Sequence, residues 1–181
     1  MNPTPATELV VLLDDNGQYL GSASKHEVHR TDTPLHLAFS CYVFDAEGRL
    51  LVTRRALQKR TWPGVWTNSC CGHPAPGEDG LAAVHRRVWQ ELGVTLENPQ
   101  MRLPDFRYRA TDVTGTVENE LCPVYTAVTR DRPRVAPDEI ADWAWSEWDE
   151  FVRIAERAPW LISPWAAQQV PLLATDIGGA R

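Results

Sequence analysis

The sequence has no long apolar run. Its N-terminal apolar stretch, residues 9–13, is too short for a membrane span or a signal peptide, and no basic region precedes it. We therefore expect a cytoplasmic protein without membrane contact. No internal repeat, low-complexity segment or linker divides the 181 residues, a length that one domain accounts for. A single domain over residues 1–181 is the expectation.

Cysteine is scarce, with four in the chain. Cys70 and Cys71 are adjacent, which is poor geometry for a disulfide between them, and thiols stay reduced in the cytoplasm. All four are therefore expected to be free, serving either thiol chemistry or core packing.

An excess of positive charge is also missing, because 18 Lys and Arg residues face 24 Asp and Glu residues, for a net charge of -6. Nucleic-acid binding uses a broad basic surface, so no nucleic-acid partner is expected. The basic residues cluster in two runs, residues 54–60 and 86–87. Such a local cationic pocket suits a small anion, although solvated surface charge would explain either run alone.

Apolar spacing predicts strands and helices without strict βαβ alternation. Strands are predicted at residues 9–13, 19–22, 37–44, 49–54, 106–110, 117–121, 124–129 and 140–145. A long helix is predicted at 78–92 with Gly93 as its C-cap, and shorter helices after Ser146 and from Pro164. The expected fold class is α+β, an α/β/α sandwich with a mixed sheet between helical layers.

The most informative stretch is residues 67–74, which places Cys71 two residues from His73 in a glycine-containing loop. The loop and the helix that follows resemble a Nudix box. A Nudix hydrolase carries several carboxylates on this helix to hold metal against a diphosphate, but Arg87 and Gln90 occupy two of those positions here. Glu91 remains, so the motif keeps the diphosphate-binding layout without the hydrolytic metal cluster.

Further segments make the resemblance specific: residues 35–40, 53–56, 62–69, 71–74, 91–93, 105–110, 118–120 and 163–165. With them the chain resembles type I isopentenyl diphosphate isomerase, a non-hydrolytic branch of the Nudix superfamily, over about residues 25–168. The resemblance implies a Nudix core at about 34–168 and an N-terminal segment, 1–33, that contributes to the active site. It implies reversible 1,3-allylic rearrangement of isopentenyl diphosphate to dimethylallyl diphosphate, by a monomer or a homodimer.

A metal site is one consequence of this resemblance. Two glutamates separated by one residue on a strand lie on one face, roughly 7 Å apart at the backbone, and can share a cation. A solvated strand face would explain them equally well. The resemblance implies a Mn²⁺ or Zn²⁺ site with five ligands: His29, His36, His73, Glu118 and Glu120. Spacing cannot separate His29 from nearby His26; the family register selects His29.

A second cation, Mg²⁺, is expected with the substrate diphosphate, and Glu91 is the family position for it. The resemblance implies four diphosphate-binding side chains: Lys25, Arg55, Lys59 and Arg87. Arg86 occupies the Nudix-box arginine position, for which an intramolecular salt bridge is the expected role.

For the reaction itself, the resemblance implies that Cys71 and Glu120 are the acid–base pair, with Tyr108 near Glu120. Which of the two acts first stays open. A positive neighbourhood would lower the pKa of the Cys71 thiol enough for thiolate chemistry. Trp165 matches a family tryptophan whose ring face stabilises a carbocation, worth on the order of 2 kcal/mol when desolvated, although core packing alone would also explain a tryptophan here.

Two other functions fit parts of the sequence. A Nudix diphosphate hydrolase would use the same fold, but Arg87 and Gln90 replace acids that it needs. A non-catalytic diphosphate-binding protein could use the histidines and glutamates as a structural metal site, although structural zinc sites favour closed, cysteine-rich shells.

Overall fold

The computed structural model describes residues 8–178, which form two mixed β-sheets and four α-helices. The first sheet has the strand order β2-β1-β3-β10-β9. Its strands are β1 Leu9–Leu13, β2 Tyr19–Ser24, β3 His36–Leu37, β9 Arg107–Thr111 and β10 Val117–Leu121. Strand β3 runs parallel to β10, and the other pairs are antiparallel.

The second sheet has seven strands, in the order β12-β5-β4-β11-β8, with β6 paired to β5 and β7 paired to β4. Its strands are β4 Phe39–Phe44, β5 Leu50–Arg55, β6 Trp66–Thr67, β7 Cys70–Gly72, β8 Glu97–Leu103, β11 Val124–Val128 and β12 Ile140–Ser146.

Four helices complete the fold: α1 Lys25–Val28, α2 Gly80–Leu92, α3 Trp148–Arg157 and α4 Pro164–Gly178. The long helix, α2, begins two residues later than predicted because Asp79 caps it, accepting a hydrogen bond from the Ala82 amide at 3.0 Å. Gly93 ends it with φ of 63°, a left-handed conformation that glycine adopts without a Cβ penalty, so the predicted C-cap is confirmed. None of the helices in this part of the chain is long and apolar enough to span a membrane.

Alternation along β4 places the second sheet between helical layers. Phe39, Cys41 and Val43 belong to a core cluster with the buried face of α2. Tyr42 faces the opposite way, into a second cluster with α3 and α4. The predicted α/β/α layering is therefore confirmed, with the first sheet added beside it. The predicted strand 37–44 is divided, because the chain passes from the first sheet to the second at Ala38.

Candidate active site

A cavity of about 540 Å³ lies between residues of the first sheet and the loop and strands around β7. Its lining contains every residue predicted for the site except His36 and Glu91. Both of these are buried directly behind it, at 0% and 6% exposure. Residues from widely separated parts of the sequence are thus brought to one cavity.

Strand pairing explains part of this convergence. In the register of the first sheet, Glu120 on β10 lies beside His36 on β3 and beside Tyr108 on β9. The three side chains therefore lie side by side across neighbouring strands. Glu118 lies two residues earlier on β10, on the same face as Glu120, as the sequence predicts.

Three imidazoles and one carboxylate form a compact cluster. The ring centroids of His29, His36 and His73 are 5.1, 5.2 and 5.7 Å apart. Taking one nitrogen from each ring and one carboxylate oxygen of Glu120, all four atoms lie within 4.8 Å of one another. This donor set, nitrogen-rich with one carboxylate, is typical of sites for divalent transition metals.

Hydrogen bonds to backbone carbonyl oxygens orient two of these rings. The Nδ1–H of His29 donates to the Lys25 carbonyl oxygen at 3.1 Å, and the Nδ1–H of His36 donates to the Pro34 carbonyl oxygen at 3.0 Å. Because a carbonyl oxygen only accepts, each Nδ1 carries the proton and each Nε2 presents a lone pair. Metal-binding histidines are oriented in this way.

These contacts leave two buried ring nitrogens of the cluster without a partner in the described part of the chain, one in His36 and one in His73. Among the described residues, His36 Nε2 and His73 Nδ1 have no hydrogen-bond partner. His36 Nε2 lies 3.4 Å from Glu120 Oε1, a second electron-rich atom. Two lone pairs so close repel each other unless a proton or cation lies between them, so the cluster fits a divalent cation.

The charges of three of the four cluster residues support this fit. Burial lowers the pKa of His73 to about 4 and also lowers the pKa of His29, so both rings are neutral, the form that binds metal. Burial alone would raise the pKa of Glu120, but its close contacts with the imidazoles of His36 and His73 hold it well below its usual range. The carboxylate is therefore ionised where a cation would need it.

Glu118 lies beside this cluster rather than within it. Its carboxylate accepts hydrogen bonds from Tyr108 Oη at 2.7 Å and from Thr61 Oγ1 at 2.8 Å. Burial, together with the charge of Glu120, raises the pKa of Glu118. Tyr108 lies beside Glu120 in the strand register, as expected, and its hydroxyl donates to Glu118.

Cys71, on β7, lines the cavity and is partly exposed to it. Burial raises the pKa of its thiol to about 12, and the opposing charge of Arg55 is too weak to offset this. The environment of Cys71 thus raises the pKa of its thiol, so the expectation of a lowered thiol pKa is wrong. Its Sγ lies 3.3 Å from Asn68 Oδ1 and 3.4 Å from Ser40 Oγ. The three other cysteines are buried, and all four, which lie in the described part of the chain, are free thiols.

Aromatic rings form one wall. Trp165, 2% exposed, lies 5.9 Å from Tyr108 and 5.5 Å from Trp62 between ring centroids. The guanidinium carbon of Arg55 lies 5.4 Å from the Trp165 centroid, so the ring face already accommodates a cation. Sequence reasoning missed Trp62, which packs against Trp165 without lining the cavity and whose backbone is held at φ of 43°, an uncommon value for a bulky residue.

The four cations predicted to bind diphosphate all line the cavity, and each has an internal partner. Lys25 pairs with Glu8 at 3.0 Å, and Arg55 donates to the Thr61 carbonyl oxygen at 2.8 Å.

Lys59 and Arg87 share one partner, Glu139. Sequence reasoning missed this residue, because it lies 80 positions from Lys59 and 52 from Arg87.

Glu91 lies behind Arg87, with which it forms an ion pair on α2. Its burial raises its pKa. The expected salt bridge of the neighbouring Arg86 is confirmed, since its guanidinium contacts Glu78 at 2.7 Å.

Sequence comparison places the chain in a family. A model of the NUDIX domain matches residues 34–171, so the chain belongs to the Nudix family. An isopentenyl-diphosphate Delta-isomerase from Clavibacter sepedonicus is 60% identical over 167 residues, covering 92% of this chain and 88% of the relative. Another from Mycolicibacterium vanbaalenii is 56% identical over 179 residues, covering 98% of each. Within the Nudix family, the chain is thus a member of the isopentenyl-diphosphate Delta-isomerases.

Solved structures agree on the fold. A protein from Deinococcus radiodurans matches with a TM-score of 0.69 at 19% identity, over 91% of this chain and 98% of that one. A MutT protein from Methanosarcina mazei matches with a TM-score of 0.63 at 17% identity, over 82% and 97%. At these identities the likeness concerns the fold alone, and it confirms the predicted Nudix architecture.

Proposed function

We propose that this chain interconverts isopentenyl diphosphate and dimethylallyl diphosphate, with Cys71 and Glu120 as its acid–base pair. The observation that carries this assignment is that both groups line one cavity, together with four cationic side chains and an aromatic wall. The proposal thus combines the family's reaction with a location for each of its chemical requirements.

The reaction needs an acid, a base and protection from water. Protonation of the terminal carbon of the double bond, C4, makes a tertiary carbocation at C3, and loss of a proton from C2 then forms the new double bond. An alkene is a poor base, so the site must be preorganised and dry. Glu120, 5% exposed, and Trp165, 2% exposed, meet that requirement.

Each side chain has one part in this scheme. Between them, Glu120 and Cys71 add the proton at C4 of the substrate and remove the proton from C2. Tyr108 is a neutral hydrogen-bond donor beside the carboxylates, and it donates to Glu118. The face of Trp165 stabilises the carbocation, as its contact with Arg55 indicates that it can.

The histidine cluster would hold one Mn²⁺ or Zn²⁺ through His29, His36, His73 and Glu120, with Glu118 beside it. When bound, this cation supplies fixed positive charge that holds the Glu120 carboxylate in place. Glu91 would hold Mg²⁺ together with the substrate diphosphate, for which Lys25, Arg55, Lys59 and Arg87 supply the positive charge.

The proposed Nudix core, about residues 34–168, is completed by the N-terminal segment 1–33. Support comes from Lys25 and His29, which line the cavity although they precede the core. Residues 1–7 of that segment, and residues 179–181 of the proposed single domain, lie outside the described residues.

Diphosphate hydrolysis is the weaker alternative. Helix α2 carries one acid, Glu91, whereas a hydrolase carries several on this helix to hold its metal. Gln90 accepts from Arg86 and Arg87, so it serves the two arginines rather than a metal. Two acids of the cavity lining, Glu118 and Glu120, lie instead on β10.

Incubation of the protein with isopentenyl diphosphate and Mg²⁺ in deuterated water tests the proposal. Deuterium in the allylic product is expected, since the added proton comes from a group that exchanges with solvent. Cys71→Ala should abolish the conversion, whereas Cys70→Ala, which removes the adjacent thiol behind the cavity, should not. Unlabelled product, or Cys71→Ala turning over like the unaltered protein, would remove this pair from the reaction.

A further inference from the structure

We propose that Asn68 is a positioning residue that ties the sulfur of Cys71 to the indole of Trp165. The proposal rests on the functions assigned above to those two residues. Asn68 is 0% exposed and lies in the turn between β6 and β7, three positions before Cys71. It does not line the cavity and acts only through its neighbours.

The orientation of its amide is fixed by what lies on each side. The Nδ2 group donates to the carbonyl oxygens of Cys41 and Cys70, each at 3.0 Å. Carbonyl oxygens accept and cannot donate, so the nitrogen must face them. The amide oxygen is consequently turned toward the active-site side.

That oxygen accepts from three donors. They are Cys71 Sγ at 3.3 Å, Trp165 Nε1 at 2.9 Å and Thr67 Oγ1 at 2.7 Å. An indole N–H donates only, so the reversed amide would leave it facing another donor. Asn68 and Trp165 are 97 residues apart in the sequence, and this single atom joins the strand that carries the thiol to the helix that carries the ring.

The hydroxyls beyond Asn68 continue the connection to α4. Thr67 gives its only proton to Asn68, so the 2.7 Å contact with Ser163 is a bond that Ser163 donates. Ser163 Oγ in turn accepts from the Ala166 amide at 3.3 Å in the first turn of α4. The backbone that carries Trp165 and the indole N–H are therefore held by the same network.

A functional consequence follows from this geometry. The thiol must reach C2 while the ring face lies against the adjacent cationic carbon, so their relative position matters more than the position of either alone. Displacements of about 1 Å in such arrangements cost on the order of 100-fold in rate. Removing the shared acceptor frees both groups at once, without removing a diphosphate contact.

Ser69 provides a matched control. It is the next residue, also 0% exposed, and its hydroxyl makes two buried bonds, from the Val43 amide at 2.8 Å and to the Leu51 carbonyl oxygen at 2.6 Å. Both bonds lead to the backbone of β4 and β5 rather than to Cys71 or Trp165. Ser69→Ala therefore measures the loss of comparable buried bonds without loss of positioning.

The experiment compares Asn68→Leu, Asn68→Asp and Ser69→Ala with the unaltered protein, in kcat and KM and in the NMR signal of ¹⁵N-labelled indoles. The Trp165 signal is assigned by its disappearance in Trp165→Phe. For Asn68→Leu we expect kcat to fall on the order of 100-fold with KM little changed, and faster solvent exchange of the Trp165 Nε1–H. Asn68→Asp keeps an accepting oxygen at this position. Relative to Asn68→Leu, it should therefore recover part of kcat and slow the solvent exchange of the Trp165 Nε1–H.

Ser69→Ala should keep both kcat per folded molecule and the Trp165 signal. Equal losses of kcat in Ser69→Ala and Asn68→Leu would make Asn68 merely structural and overturn the proposal. If Asn68→Leu does not fold, the comparison of Asn68→Asp with Ser69→Ala tests the proposal in its place. The proposal is also overturned if, in the unaltered protein, the Trp165 Nε1–H exchanges with solvent as fast as an exposed indole. Failure of the isomerase assignment is separately visible, as an unaltered protein that forms no allylic product while its Trp165 signal stays protected.

Discussion

Replacing one histidine of the cluster should abolish stabilisation by a divalent cation. A cation that binds the folded chain and not the unfolded chain stabilises it by about 2.7 kcal/mol at a free concentration 100 times its dissociation constant. For a chain of this length each kcal/mol raises Tm by about 2–4 °C, so the expected shift is about 5–11 °C.

The structure offers a close pair of variants for this measurement. His36 is fully buried, its Nδ1 is bound to Pro34, and its Nε2 faces the cluster. His26 is exposed and has no atom in the four-residue group that the described residues form. His36→Ala should therefore lose most of the Tm shift, whereas His26→Ala should keep it.

Thermal unfolding of metal-stripped protein, recorded with and without added Mn²⁺ or Zn²⁺, gives the shift for each variant. Each shift is taken against the same variant without metal, so the cost of the substitution itself cancels. A full shift in His36→Ala, or its loss in His26→Ala, would refute the assignment of the cluster. His29→Ala should behave like His36→Ala, which tests the choice of His29 over His26.

Three further changes probe the cavity and its supports. Arg55→Ala should chiefly raise KM, by about 10–100-fold for a charge-assisted contact worth about 1.5–3 kcal/mol; a change in kcat alone would contradict its diphosphate function. Gly72→Ala would put a Cβ 2.9 Å from Arg87 Cγ and from the Phe39 ring. Calorimetry should therefore show a loss of about 1–3 kcal/mol in the free energy of unfolding, and kinetics should show a raised KM. Unchanged values would mean that the loop relaxes freely. Leu92→Ala, at a fully buried position of α2, should cost about 2–5 kcal/mol in denaturant unfolding while kcat per folded molecule stays unchanged.

The sequence predicted those parts of the fold that local physics determines. Helix α2 has its apolar stripe, its Asp79 cap and its Gly93 end within one short segment, and only its first two residues were misassigned. Strand β8 was missed because Asn98 and Pro99 are turn-forming residues and much of its surface is exposed. It forms through pairing with β11, with irregular register, and no local pattern reveals that pairing.

For the candidate site too, local sequence predicts some features, and the meeting of distant segments determines the others. Glu118 and Glu120 lie on one face because they are two residues apart on a strand, and this spacing is visible in the sequence. The three histidines come from a helix end, a two-residue strand and a loop, so their convergence depends on how the two sheets meet. Only resemblance to a family could select them. Asn68 and Glu139 escaped prediction because their partners are distant in sequence and their own residue types are common.

The distribution of acids within the Nudix framework connects the fold to the chemistry. On α2, where a hydrolase would hold metal against a diphosphate, the lone acid Glu91 is paired with Arg87. Two other acids lie on β10, where Glu120 faces imidazoles and Glu118 accepts from a phenol. Under the proposed function, these two acids would act at the carbon atoms of the substrate rather than at its phosphorus atoms. The cavity lining carries five Lys or Arg side chains against three Glu, although the whole chain has a net charge of -6. This local excess of positive charge suits the diphosphate of the proposed substrate.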